Sequence, residues 1–454
     1  MQEIHRKKVK TRRFIREMLP LALPVALNEF LRSSVHMVDT VMVGHISETA
    51  IASVNLAGQV FFVFILMMVG ICSGSSIFIA QYFGDKDTKG IQRTIGLTLI
   101  AAVLAATAFT IAGVGFSEQI ISFYTKDAAV IAAGVSYLQI AGWTFPLVAL
   151  SFVYGTILRT MHQAKIPLFV SFIALAVSTG LNFVFIFGHF GLPAMGVEGA
   201  ALATLFARLL ELALFFAVMR VKKSIALAPV KNLFAFSRGF IKKYAITNYP
   251  VMLNEMGWVL GVTLYNKIYA GISTQALTAV VVADTIFMLF FVFFFGTSSA
   301  TSILIGNKIG ERNFARAQEY AKIVHKLIPP ISACFGLVLF AGSWLFPRIY
   351  GVEADTLEMT TLVLWVYAFI LPFKCFNLHT VNGILRSGGD TKFGFIMDIC
   401  GIWLIGLPMA LLARDVLGLP LVGVVIFLMS EEVVKAAVGY FRVRSGKWAN
   451  RVIG

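Results

Sequence analysis

Residues 49–84 read TAIASVNLAGQVFFVFILMMVGICSGSSIFIAQYFG, a run of 36 positions without Asp, Glu, Lys or Arg. A helix rises about 1.5 Å per residue, so about 20 mainly apolar residues cross a hydrocarbon core about 30 Å thick. This run therefore holds a complete span and part of a loop. Charge-free stretches of similar character recur at 94–117, 128–158, 166–197, 285–307 and 327–347, and further apolar segments are broken only by isolated charges. The pattern predicts an all-α polytopic membrane protein with twelve transmembrane helices. Composition agrees: 58% of the 454 residues are hydrophobic and 13% charged, against about 25% charged in soluble domains. The first sixteen residues carry seven Lys or Arg and no apolar core. They are not expected to form a cleavable signal peptide, and the first apolar segment is expected to be retained.

The formal charge of +15 invites a nucleic-acid reading, which its distribution opposes. With twelve helices and a cytoplasmic N-terminus, 30 of the 38 Lys and Arg fall in the termini and even-numbered loops. Only Lys126, Arg348 and Arg414 fall in odd-numbered loops, and Arg32, Arg208, Lys267, Lys374 and Lys435 lie within helices. This positive-inside bias places both termini in the cytoplasm and the chain in the plasma membrane. Anionic lipid headgroups are the expected partner of the basic loops, and no nucleic acid is. Cys72, Cys334, Cys375 and Cys400 stand singly in apolar segments, without the spacing of a metal site or a disulfide framework.

The chain also repeats itself. Displaced by 226 residues, Pro24-Val25 falls on Pro250-Val251, Leu27-Asn28-Glu29 on Leu253-Asn254-Glu255, Gly70 on Gly296, and Gly84-Asp85-Lys86 on Gly310-Glu311-Arg312. With one residue inserted, Ile157-Leu158-Arg159 falls on Ile384-Leu385-Arg386, Lys165 on Lys392, and Gly191-Leu192-Pro193 on Gly418-Leu419-Pro420. Hydropathy alone would not hold polar and turn residues in register. The repeat predicts a six-helix N-terminal lobe over 1–220, a cytoplasmic linker over 221–239 and a six-helix C-terminal lobe over 240–454. An even number of helices per half gives pseudo-symmetric lobes of the same orientation around a central cleft, where transporters of this design bind substrate.

Three stretches carry a family resemblance: Leu21-Ala22-Leu23-Pro24 followed by Val38-Asp39-Thr40-Val41-Met42-Val43-Gly44; Leu385-Arg386-Ser387-Gly388-Gly389-Asp390-Thr391-Lys392; and Gly199-Ala200-Ala201-Leu202-Ala203-Thr204. In this order and spacing the sequence resembles the multidrug and toxic compound extrusion (MATE) family over nearly its whole length. The resemblance implies two six-helix lobes and export of small amphipathic, often cationic, organic compounds by exchange for H⁺ or Na⁺. It implies no cofactor beyond that coupling ion. A monomer is expected.

Ionisable groups inside a bilayer are costly and so mark sites. Glu29, Arg32, His36 and Asp39 recur at steps of three, four and three, which puts them on one helical face. That face is expected to line the cleft or the lobe interior; an ion-pair ladder that only joins helices is the other reading. The resemblance makes Asp39 the N-lobe coupling carboxylate, with Asn182 and Thr204 as its polar neighbours and Ser178 one turn away. Carboxylate, amide and hydroxyl oxygens suit Na⁺, whereas a buried carboxylate equally suits a proton. Ser178 stands where the family commonly has an amide, so both ions stay open. Pro24, about four turns before Asp39, is the expected hinge of the first helix.

Glu255 resembles the glutamate that two branches of the family, the NorM-type among them, use in the seventh helix. The NorM-type branch adds an acid in the tenth helix, where this chain offers only Asn377, His379 and Asn382; Lys374 is a possible ion-pair partner for Glu255. Asp284 and Asp398 are read as structurally paired, and Glu431 and Lys435, four apart, can pair along a helix. Met67, Met68, Met288, Phe291 and Phe295 supply the soft and aromatic surface that promiscuous cation binding uses. The polar turns at Gly84, Gly310 and Gly389 read as structural. A lipid-linked glycan flippase, an integral membrane enzyme and a passive channel are the competing readings. The seven scattered histidines, without His-x-x-x-His or Cys-x-x-Cys, argue against the enzyme.

Overall fold

The computed structural model describes residues 2–453, and of residues 2–8, 32–41 and 48 it describes the backbone only. The order of elements is helical throughout: α1 (Gln2–Gly44), α2 (Glu48–Asp85), α3 (Thr88–Gly115), α4 (Ser117–Tyr124), α5 (Ala128–Ala141), α6 (Thr144–Thr160), α7 (Lys165–Phe187), α8 (Gly196–Val221) and the short α9 (Val230–Leu233). Then come α10 (Arg238–Ala270), α11 (Thr274–Gly310), α12 (Phe314–Gly342), α13 (Ala354–Leu378), α14 (Thr391–Cys400), α15 (Leu407–Leu411) and α16 (Leu421–Arg444). Among the described residues, eight spans pass a length and hydropathy test for crossing a membrane, and the pair α5–α6, bent by 50°, makes a ninth. Helices α1, α10 and α16, of 43, 33 and 24 residues, also have the length. They carry several of the charges that interrupt apolar segments, and with them the count reaches twelve. The two long helices α13 and α14–α15 contain π-helical turns at His379–Leu385 and Gly401–Gly406. Such turns widen the backbone and occur often at functional sites.

Two compact units divide the described chain. One contains Leu27–Ile79 and Lys86–Ala245; the other contains Met1–Ala26, Ala80–Asp85 and Ile246–Gly454. The boundary thus falls inside α1, two residues after Pro24. Within the first unit α7 packs along α8, and α6 lies between α3 and α8. Within the second, α13 is central and packs on α11, α12 and α16.

The duplication is visible in backbone geometry. Lys86 and its repeat mate Arg312 adopt φ of 60° and 58°, Gly191 and Gly418 φ of 84° and 58°, and His162 and Gly389 φ of 63° and 70°. These left-handed residues end helices at equivalent points of the two halves. In the second unit a Cβ on Gly84 would run into the Asn307 backbone, and one on Gly310 into the Gln81 backbone. The repeat mates of α2 and α11 therefore cross at a distance that only glycine permits. Gln81 Nε2 donates to the Ser387 carbonyl at 3.0 Å, and Asp85 pairs with Arg451 at 2.6 Å. At the third polar turn, Asp390 receives Arg442 at 2.7 Å. The polar turns fasten helix ends.

Candidate functional site

Asp39, Arg32 and His36 lie outside the residues whose side chains are described. The residues expected to neighbour Asp39, on α7 and α8, are described. Asn182 is fully buried and Ser178 is buried one turn earlier on α7. Thr204, half-buried on α8, donates to the Ala200 carbonyl at 3.0 Å. Glu29, three residues past the unit boundary, pairs with Arg159 of α6 at 3.3 Å, and Arg159 also donates to the Thr156 hydroxyl at 3.0 Å. The preceding Asn28, 1% exposed, donates to Ser171 Oγ at 3.0 Å. Pro24 is a buried residue inside α1.

The second half repeats this arrangement with heavier charge. Glu255 of α10 pairs with Arg386 at 2.9 Å, the repeat mates of Glu29 and Arg159. Asn254 donates to Asp398 Oδ2 at 3.0 Å, the repeat mates of Asn28 and Ser171. Lys374 is therefore not the partner of Glu255. It projects instead toward the rings of Phe287 and Tyr367, at 5.1 and 5.7 Å. There Tyr367 donates to Asp284 at 2.8 Å. The side chain of residue 255 faces the π-helical end of α13, where Arg386 lies, whereas Lys374 sits three turns earlier on that helix. Asp284 and Asp398 are paired as expected, through a tyrosine and an asparagine.

A cluster on α16 has no counterpart among the residues singled out from sequence, apart from the Glu431–Lys435 pair. Lys435 lies 3.6 Å from Glu431 and 3.3 Å from Glu432, all three more than nine-tenths buried. Asn377 donates to Glu432 Oε2 at 2.7 Å. Tyr265 of α10 adds a buried hydroxyl next to Glu431. The repeat register places Tyr265 on Asp39, whereas Glu432 falls on Leu205 and carries no signal in the sequence.

The expected substrate-contact residues are spread over two helices. Met68 is fully buried and Met67 half-buried on α2; on α11, Met288 is 45% and Phe295 38% exposed. Phe291 stacks on Phe287 at 5.3 Å and meets Phe295 edge-on at 5.1 Å.

Long apolar helices in a duplicated array, with carboxylates buried among them, define a polytopic transporter. The MatE family model matches residues 24–187 and 250–412, one copy in each half, so the chain belongs to the MATE family of transporters and is not an enzyme. It is 27% identical to the "Uncharacterized transporter YisQ" of Bacillus subtilis (strain 168) over 444 residues, 95% of this chain and 94% of that one. To the "Probable multidrug resistance protein NorM" of Thermotoga maritima it is 24% identical over 446 residues, 96% and 94% of the two chains. A multidrug resistance MATE family transporter of the MOP superfamily, solved in an outward-facing conformation, superposes with a TM-score of 0.86 at 18% identity, covering 96% and 97% of the chains.

Proposed function

We propose that this transporter is a cation-coupled antiporter that exports small amphipathic, mainly cationic, organic compounds across the plasma membrane by alternating access. The observation that carries the reading is the concentration of intramembrane carboxylates on α1, α10 and α16, in a family with multidrug resistance members. Such groups are retained inside a bilayer at a cost, and a carboxylate whose charge changes gives the protein differential affinity for drug and coupling ion. Asp39, with Asn182, Thr204 and Ser178, is the N-lobe coupling site, for H⁺ or Na⁺. Ionised, Asp39 attracts a cationic drug; protonated or Na⁺-bound, it does not. Glu255 is the C-lobe candidate, although its pairing with Arg386 favours a structural role. Pro24 is the hinge, consistent with a unit boundary two residues beyond it. Met67, Met68, Met288, Phe291 and Phe295 are the proposed substrate-contact residues.

The chain is read as two lobes, 1–220 and 240–454, joined by a cytoplasmic linker over 221–239, with both termini facing the cytoplasm and the protein working as a monomer among anionic lipids. Expression in a host stripped of its own pumps tests the reading. Raised resistance to several unrelated cationic dyes, with lower dye accumulation, is the expected result; unchanged accumulation at normal membrane expression would contradict it.

A further inference from the structure

The repeat register that sets Glu29 on Glu255 also sets Asp39 on Tyr265, and the register that sets Arg159 on Arg386 sets Thr204 on Glu431 and Arg208 on Lys435. In the first half the acid of this pair of positions stands on the first helix and the hydroxyl on the sixth. In the second half the hydroxyl stands on α10 and the acid on α16. The two chemistries have exchanged helices at equivalent positions.

The exchanged pair sits in a buried, under-neutralised environment. Glu431 is faced by Lys435 and Glu432 from its own helix, Tyr265 from α10, Lys374 from α13 and Asp398 from α14. With Asp284, Glu255 and Arg386, the second half gathers five carboxylates and three cations, which leaves two negative charges unbalanced if every acid is ionised. Charges in a medium of low polarity must be paired or neutralised. A second observation locates the point of adjustment. Glu431 Oε2 and the Tyr265 hydroxyl find no hydrogen-bond partner outside this pair, although the two side chains are only 4% and 8% exposed. Both converge on Gly406, where a methyl group would lie 2.5 Å from the hydroxyl and 3.1 Å from Oε2. Gly406 closes the π-helical turn Gly401–Gly406.

We infer that Glu431 and the Tyr265 hydroxyl form a proton-binding site in the C-terminal half, equivalent by repeat to the Asp39–Thr204 site of the first half. The ion is a proton and not Na⁺, because the Lys435 ammonium already occupies the position beside both glutamates that a metal would take. Among the described residues, no three His, Cys, Asp or Glu side chains gather as metal ligands. In the ionised state the Tyr265 O–H turns toward Oε2. On protonation from the aqueous side, the Glu431 O–H turns toward the Tyr265 oxygen, and the charge excess falls by one. The proton returns to water when the site reopens, with no other bond made or broken.

This inference rests on the antiporter reading, and the experiment separates the two. The full-length protein in everted vesicles is given a pH gradient and a fluorescent cationic dye. Wild type accumulates dye; Glu431→Gln loses the gradient-driven accumulation about tenfold or more, as expected of a site fixed in its neutral state. Tyr265→Phe, which removes only a hydroxyl, shifts the pH midpoint of transport to higher pH by about one unit. Infrared difference spectra of the purified protein provide a readout independent of transport: a protonated-carboxyl band that titrates in wild type is absent in Glu431→Gln and displaced in Tyr265→Phe. If wild type transports with the pH gradient and both variants retain its rate, pH midpoint and carboxyl band, the Glu431 site is overturned and the antiporter reading stands. A wild type that ignores the pH gradient but accumulates dye under a Na⁺ gradient overturns the Glu431 proton site and leaves the antiporter reading standing; one that ignores both gradients overturns both. If Glu431→Gln does not fold, Tyr265→Phe decides by its pH midpoint and its carboxyl band.

Discussion

The carboxylate of Glu255 lies 2.9 Å from the guanidinium of Arg386, in a pair that the chain builds twice, since Glu29 and Arg159 meet at 3.3 Å in the other half. Arg386 and Glu255 are 6% and 17% exposed at the side chain. Removing one partner of such a pair leaves an uncompensated charge and costs about 3–5 kcal/mol, whereas removing both is close to neutral. Glu255→Gln and Arg386→Met should each lower the Tm of the detergent-purified protein substantially, and the double variant should recover most of the loss. Lys374→Met combined with Glu255→Gln should recover nothing. Rescue by Lys374→Met would contradict the pairing seen here.

Much of this architecture was legible in the sequence, and the part that was not has a physical reason. Apolar runs and the repeat gave the spans, because bilayer thickness and duplication both leave long-range signatures that survive substitution. The Glu255 pairing pointed to Lys374, since proximity on paper favoured the cation in the same apolar segment. The structure pairs Glu255 with Arg386, the repeat mate of Arg159. Glu432 and Tyr265 are not legible in the sequence by local pattern, because a lone tyrosine and a second glutamate beside Glu431 carry none. Their roles depend on which faces of α10 and α16 meet, a property of tertiary packing.

The crossing of α2 and α11 rests on Gly84 and Gly310. A side chain at either position meets backbone of the other helix, and overpacking of this kind costs about 1–3 kcal/mol. Gly84→Ala and Gly310→Ala should each reduce expression and thermal stability, with Gly58→Ala, where nothing lies within 4 Å, as a neutral control. Equal stability of all three would contradict the close approach.

Topology follows from the Lys and Arg asymmetry. A cysteine placed at position 231 should resist an impermeant maleimide in intact cells, and one at position 126 should react. The reverse labelling would place the termini outside and turn export into import.

Asp39 is the proposed N-lobe coupling residue. Asp39→Asn fixes the neutral state, so normal membrane expression with loss of active efflux is expected. Asn182→Ala and Thr204→Ala should weaken coupling strongly if Na⁺ is the ion, because a metal needs those oxygens directly, and only mildly if it is H⁺. Full drug resistance with Asp39→Asn would shift coupling to the second half.

The most direct test of the central claim is dye transport by everted vesicles under separately imposed gradients. With the protein present, a pH gradient or a Na⁺ gradient should drive accumulation of a cationic dye against its own gradient, and collapsing that gradient with an ionophore should release the dye. Equilibration of dye without accumulation under either gradient, in vesicles shown to contain folded protein, would contradict a cation-coupled antiporter.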